Sequence, residues 1–302
     1  MQDMQKADLK KIIKTIDDEL VKEQIPLEIR PMQVLLTLSQ RLKIRISSRP
    51  EDETYKVVIK WFARKYGARL KRDYDIGVMA ILIRKDLFKM TLPLVYGEVQ
   101  IVVDPNVELR NRVQKSAGQD PAVVYVLNCI EGLSNVHARE LSAIEMKELL
   151  LYYSWGAGAF QSIALFSGSP YTREALKDLR SAVEHLFGDP QACGRSKWAS
   201  LQAAEKLLRA YIAHRGGIMD RDHDLLQLAR DAYALGLPAL NPDNLEILKC
   251  DPGVLFGKTA VDVQQAVEAH HASIDICAIV ASSARRQFAA GGPDRAPLPS
   301  RP

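Results

Sequence analysis

LQAAEKLLRAYIAHRGG, residues 201–217, and DRDHDLLQLARDAYALG, residues 220–236, decide the fold class of this 302-residue chain. In the first stretch Leu201, Ala204, Leu207, Leu208, Tyr211 and Ile212 return every three or four positions, so they share one face of an α-helix and define a core-facing stripe. In the second, Asp220 or Asp222 supplies an N-cap, and Leu225, Leu226, Leu228 and Ala229 continue the apolar face. Two such helices in succession cannot bury their stripes alone, which implies a packed antiparallel cluster of helices.

The same periodicity extends to both sides. Helices are expected at Val107 to Ala117, Pro121 to Ile130, Ala143 to Phe166, Thr172 to Phe187, Lys197 to Arg215, His223 to Leu235 and Thr259 to Ala284. Nearer the N-terminus, helices are predicted at Met4 to Lys22 and about Pro31 to Ile44, broken at Ile25-Pro26. Pro50 opens a third, PEDETYKVVIKWFARKYG. Glu51, Asp52 and Glu53 favour its positive end, Arg64 and Lys65 its negative end, and Gly67 stops it. Its residues Tyr55, Val58, Ile59, Phe62 and Tyr66 should face the core. Between Ala68 and Asp104 the pattern becomes strand-like, with strands at Arg69 to Tyr74, Gly77 to Arg84, Leu87 to Leu94 and Glu98 to Val103. The expectation is a mainly α chain: an N-terminal α+β module (1–106), a helical connecting region (107–168), a C-terminal helical bundle (169–284), and a Pro- and Gly-rich tail (285–302) expected to be disordered.

Composition limits the class of protein. With 47% hydrophobic and 26% charged residues the chain is not largely disordered, and a net charge of +4 is compatible with a nucleic-acid ligand without arguing for one. Cys129, Cys193, Cys250 and Cys277 form no C-x-x-C pair and read as buried thiols of a reducing compartment. The polar N-terminus MQDMQKADLKKIIK has no apolar signal core, so a cytoplasmic location is expected. Leu149 to Thr172 carries no charge, yet Ser154, Gly156, Gly158, Gln161 and Ser162 dilute it, which favours a buried helix over a membrane span. Gly156, Gly158 and Ala159 would let a neighbouring helix approach closely.

Few local patterns carry chemistry. In CDPGVLFGKTAVDV (250–263), Gly253 and Gly257 enclose only three residues, one fewer than a phosphate-encircling P-loop requires. Thr259 as N-cap with Asp262 three residues on is the better reading, and Lys258 beside that helix start would attract an anion. VQIVVD (99–104) reads as a strand. Lys56, Lys60 and Arg64 share one face of the third helix and could track a phosphate backbone, although a solvated face is the better reading of them. Asp73 and Asp75 lack a third carboxylate, and the histidines His137, His185, His214, His223, His270 and His271 are scattered. His270 and His271 are adjacent on a helix and point about 100° apart, so they do not share a metal easily. No metal or other cofactor is expected.

The order of helices between about 172 and 283, with QAAEKLLRAYI (202–212) followed by HDLLQLA (223–229), resembles the HEPN family of small four- to five-helix domains. That resemblance covers a little over a third of the chain. It implies one of two functions. Many members are metal-independent endoribonucleases in which an R-x(4–6)-H pair acts at a phosphodiester across a dimer interface; others lack the pair and bind RNA or nucleotides, or serve in assembly. Arg180/His185 and Arg209/His214 both fit the spacing, but both lie inside expected core helices, and at the position after the arginine, polar in active members, Ser181 is only a weak stand-in and Ala210 none. The expectation is therefore a noncatalytic or weakly catalytic, dimeric HEPN-like protein that binds RNA or a nucleotide through Lys258 and through Lys56, Lys60 and Arg64. An endoribonuclease and a structural adaptor are the alternatives.

Overall fold

In a computed structural model of the chain, the residues described are 6–23, 25, 27, 29–43, 52–67, 75–95, 99–109, 113–114, 122–166, 169–188, 192–218 and 224–288. The elements run α1 (Lys6–Lys22), α2 (Arg30–Arg41), α3 (Glu53–Tyr66), β1 (Asp75–Ile83), β2 (Asp86–Pro93), β3 (Val99–Val102), β4 (Val113–Gln114), β5 (Ala122–Tyr125), β6 (Ile130–Glu131), α4 (Asn135–Arg139), α5 (Ala143–Leu165), α6 (Pro170–Gly188), α7 (Cys193–His214), α8 (Leu225–Ala234), α9 (Pro242–Leu248) and α10 (Val263–Phe288). The chain is mostly helical, with its strands on the N-terminal side of the helical region, as the sequence indicates. Among the described residues no helix is long and apolar enough to cross a membrane. Two compact units form, one from 1–74, 93–102 and 113–124, the other from 75–92, 103–112 and 125–302.

In the first unit α1, α2 and α3 pack on one another. Asp52 caps α3 by accepting from Thr54 and Tyr55 N–H, and Gly67 follows with φ 53°. Tyr55, Val58 and Phe62 are buried as their spacing demands, while Ile59 and Tyr66 are half-buried. The three helices meet at Asp17, which has no exposed surface. Its Oδ2 accepts from Tyr66 Oη at 2.5 Å and Lys65 Nζ at 2.6 Å. Arg30 Nη1 stands 3.8 Å from Oδ1, and Arg30 Nε donates to the Ile25 carbonyl at 2.7 Å. Burial first, then the Asp17 carboxylate, pushes the Tyr66 phenol up. β3, β5 and β4 form a sheet in that order, with Val113 opposite Val124 and Gln114 opposite Val123.

The helices expected at 107–117 and 121–130 are not formed. Asp104 Oδ1 accepts from Asn106 N–H and its carbonyl accepts from Val107 N–H, which makes a turn, and Val113-Gln114 is strand. Val123, Val124 and Tyr125 are β-branched and aromatic residues that lose rotamer freedom in a helix and form strand β5, and only a short 3-10 turn follows at Val126–Cys129. The strand expected at 69–74 lies outside the described residues.

In the second unit β2 pairs with β1 on one edge and antiparallel with β6 on the other, Lys89 facing Glu131 and Met90 facing Ile130. The turn between β1 and β2 is Arg84-Lys85, both with positive φ (52° and 77°). Arg84 is held by Glu145, the residue that completes the Ser142/Glu145 capping box of α5. The small residues of α5 receive the sheet and not another helix: a Cβ on Gly156 would sit 2.0 Å from Met79 Sδ, and one on Gly77 would sit 2.2 Å from the Phe160 ring. α7 and α10 form the centre of the unit, α7 packing on α6, α8 and α10, and α10 also on α5, α6 and α9. Residues 189–192 alone separate α6 from α7, and Asp178 meets Lys206, so the two helices run antiparallel as a hairpin. α5 and α9 are tied to α10 through Asp275, which accepts from Trp155 Nε1 at 2.8 Å and Asn244 Nδ2 at 3.3 Å.

The Glu145 contact sets a pH dependence. Hydrogen bonds from Arg84 first, then from the Ser142 backbone and hydroxyl, pull its carboxyl from 4.5 down to about 2. A folded-state value below the unfolded one contributes stability that is complete above the unfolded value and is lost as the pH falls toward about 2. The urea midpoint of Glu145→Gln should therefore lie below wild type at pH 6, and the gap should shrink between pH 4.5 and pH 3. A gap that is constant with pH would exclude this role for the charge.

Candidate functional site

The polar residues of the QAAEK stretch gather on α7. Glu205 stands at i+4 from Leu201 and i−3 from Leu208, inside the apolar stripe, and helical geometry therefore turns it inward until only 7% is exposed. Gln202 Nε2 donates to Glu205 Oε2 at 3.2 Å, and Arg209 Nη2 lies 3.6 Å from the same oxygen. Glu205 Oε1 takes no hydrogen bond from the described residues. Burial raises the Glu205 carboxyl above the usual carboxylate range, against the Arg209 charge and the Gln202 hydrogen bond. Lys206 faces the other way and binds Asp178 of α6 at 2.5 Å, where burial likewise lifts the Asp178 carboxyl.

Glu205 lines a partly open cavity of about 120 Å³ between α7, the start of α8 and the end of α9. Leu201, Leu225, Leu226 and Leu245 supply apolar walls; Asp224, Lys249 and Cys250 add polar groups. Asp224 is also the N-cap of α8, accepting from Leu226 N–H at 2.9 Å. It takes the capping place expected for Asp220 or Asp222, both outside the described residues. The Cys250 thiol is raised by burial first, partly offset by Lys197, and so is not an activated nucleophile. Cys129, Cys193 and Cys277 are buried and form no disulfide, with the Cys277 thiol pushed up to about 12 by burial.

The two Arg/His pairs are not brought together. Each lies within a single continuous helix, where residues five apart point about 140° from each other and are about 7.5 Å apart along the axis. Arg180 is exposed and His185 half-buried. Arg209 is turned toward Glu205, while His214, at the last position of α7, packs edge-on against Phe166 at 5.9 Å between centroids. Desolvation, then the Arg215 charge, lowers the His214 imidazole below its usual value.

The basic residues of α3 differ among themselves. Lys56 is paired with Glu53 at 2.8 Å, whereas Lys60 and Arg64 are exposed and have no carboxylate partner among the described residues. Lys258 is exposed too, next to Gly257 in the left-handed region (φ 67°). It does not begin a helix. Asp251 caps a short 3-10 turn at Pro252–Phe256 and binds the Thr259 hydroxyl, and α10 starts only at Val263. There Asp262 and Gln265 cap reciprocally, each accepting from the other's N–H. Asp262 is therefore the cap and Thr259 is not, because Asp251 has already engaged the threonine.

His270 and His271 are both buried on α10. His271 Nε2–H donates to the Ala80 carbonyl at 2.7 Å, and burial holds His270 down to about 4, so its ring is neutral at pH 7. Among the described residues no three His, Cys, Asp or Glu side chains gather as a metal site; Asp73 and His223 lie outside them. The Glu205 cavity had one sequence signal, an acidic residue on an apolar stripe. No family model, curated protein or solved structure matches the chain.

Proposed function

We propose that this chain is a noncatalytic HEPN-like helical protein that binds single-stranded RNA or a nucleotide. The observation that carries the reading is that Glu205 and Asp224, one from each signature stretch, line one cavity together with Lys249, while the Arg/His pairs diverge along their helices. Apolar walls with a few polar groups, Glu205, Asp224, Cys250 and the cation Lys249, are the kind of lining that small ligands use. The packing of α7 on α8 and the antiparallel α6–α7 hairpin fit a HEPN-like bundle. Lys60, Arg64 and Lys258 are exposed cations available to phosphates, and such contacts weaken with salt. Within one chain neither pair converges on a single phosphodiester, so acid–base catalysis would need the residues of a second chain.

Titration with mixed-sequence single-stranded RNA at low and moderate salt should show binding that weakens as salt rises, and weakens further in Lys60→Glu and Arg64→Glu. Absence of binding at both salts ends the reading. Incubation with the same RNA should leave it intact; cleavage that disappears in His185→Ala or His214→Ala would replace this reading with an endoribonuclease. A dimer belongs to the proposal, and light scattering that finds a monomer at high concentration removes that part.

A further inference from the structure

We infer that the seam between α10 and the free edge of β1 is an acid-sensitive latch, and that His270 is the group that opens it. The latch belongs to the fold of the second unit and does not depend on RNA binding.

β1 stands at the end of the order β1, β2, β6, so one of its edges has no strand beside it. α10 lies against β1 with two consecutive histidines, His270 and His271, 0% and 2% exposed. Carbonyls two residues apart on a strand point the same way, and those of Val78 and Ala80 are the ones that meet these rings. His271 Nε2–H donates to the Ala80 oxygen at 2.7 Å, and the Val78 carbonyl is the polar group that acts on His270. A buried strand edge needs donors of this kind from whatever covers it. At His270 the match is incomplete, since neither ring nitrogen has a hydrogen-bond partner of good geometry among the described residues.

Nothing packed around this ring compensates a positive charge. One turn before it on α10, Ala266 and Val267 join Val183 and Leu186 of α6, Cys193 of α7 and Val78 and Ala80 of β1 in one apolar cluster. One turn after it, Ser273 Oγ donates to the Ser200 carbonyl of α7 at 2.6 Å. α5 brings Tyr152 and Trp155, with ring centroids 5.5 and 5.3 Å from that of His271. The acids of these elements are engaged elsewhere: Asp275 by Trp155 and by Asn244 of α9, Glu268 by Gln264, and Asp178 of α6 by Lys206. A proton on His270 therefore places an unpaired charge where no water reaches, which the packed seam disfavours and an opened seam does not.

The direction with pH follows. Burial holds the His270 ring down to about 4, below its ordinary 6.5. The opened state then takes the proton first, so stability is complete above about 6.5 and is lost as the pH falls toward 4. A difference of one bound proton raises the opening constant about tenfold per pH unit inside that window, or about twentyfold from pH 7 to pH 5. Burial lowers His214 as well and acts with the same sign, so substitution at residue 270 alone isolates the latch.

Urea unfolding at pH 7 and pH 5 on wild type, His270→Gln and His270→Leu tests it. Glutamine keeps an N–H for the Val78 carbonyl, leucine fills the site without one, and neither takes up a proton. The unfolding constant of wild type should rise about twentyfold more than that of either variant. In wild type at pH 5, hydrogen exchange corrected for its intrinsic rate should show protection lost at 76–82 and 266–274 before it is lost in α6 and α7. That local measurement decides the matter even where both variants fail to fold. Protection at 76–82 that persists until the whole unit unfolds overturns the latch. An equal rise in all three proteins overturns the role of His270, whether or not the seam opens.

Discussion

Asp17→Ala should cost about 3 kcal/mol of stability in the N-terminal three-helix packing, the low end of the range for breaking a buried ion pair. Removing the carboxylate takes the acceptor from the Tyr66 hydroxyl and the Lys65 ammonium and the buried opposite charge from the Arg30 guanidinium, which keeps only neutral acceptors, the Ile25 carbonyl and Tyr66 Oη. The low end applies because Lys65 is still 35% exposed and can turn to water, whereas Arg30 at 14% cannot do so easily. Lys65 also lies over the Trp61 ring at 4.8 Å, which limits how far it moves without losing a second favourable contact. Asp18→Ala is the matched control. Asp18 reaches the same lysine at 3.6 Å but is half exposed, and pairs of that kind contribute at most about 1 kcal/mol. Urea unfolding followed by a probe in this unit, such as Trp61 fluorescence, should show Asp17→Ala shifted far more than Asp18→Ala. Equal shifts would mean that the three helices are held by their apolar faces alone.

The second large effect is Gly194→Ala, where the sign is the test. Inside an exposed helix the change from glycine to alanine stabilises by up to about 1 kcal/mol. In the first turn of α7, a Cβ at residue 194 would stand 2.2 Å from the Val254 carbonyl oxygen and 3.0 Å from its carbon. The obstacle is backbone, in the 3-10 turn that Asp251 caps, so it cannot rotate away as a side chain would. Overpacking of this kind typically costs about 1–3 kcal/mol, and separating α7 from the turn would bring the value toward the upper end. Gly188→Ala, at the end of α6 with nothing within 4 Å of the added carbon, should be neutral or slightly stabilising. Thermal melts that place both alanine variants on the same side of wild type would rule out the close approach of α7 to this turn.

How much of this was legible in the sequence depended on whether the signal was local. α3 was legible, its end to the residue and its start three residues early at Pro50, because acids at its start, bases at its end and Gly67 all act within the helix itself. α5 was legible for the same reason, although its zone of small residues accepts Met79 and Leu92 from strands where a helix was expected: periodicity shows which face is buried and not what covers it. Residues 107–130 were misread because a short apolar run has no period long enough to separate helix from strand, and β-branched Val123 and Val124 decided the matter. α9 was missed altogether, though Asn241 as cap with Pro242 at the first helical position announces it.

The candidate site was harder to read. Arg209 was singled out for its spacing from His214, yet its partner is Glu205, four residues earlier on the same helix. Ordinary expectation places a glutamate on the surface, and only its position in line with Leu201, Leu208 and Ile212 betrays that this one is folded inward. The cavity itself could not be read, since Leu225, Leu245 and Cys250 reach Glu205 only through tertiary packing.

The central claim is that this chain binds a base-bearing anion at the α7, α8 and α9 cavity and does not cleave it. Amide hydrogen exchange with and without saturating single-stranded RNA tests it most directly. The account predicts slowed exchange at 224–226 and 245–250, the residues that edge the cavity, with the RNA recovered intact. Unchanged exchange at those residues while RNA is bound, or RNA returned in fragments, would contradict it.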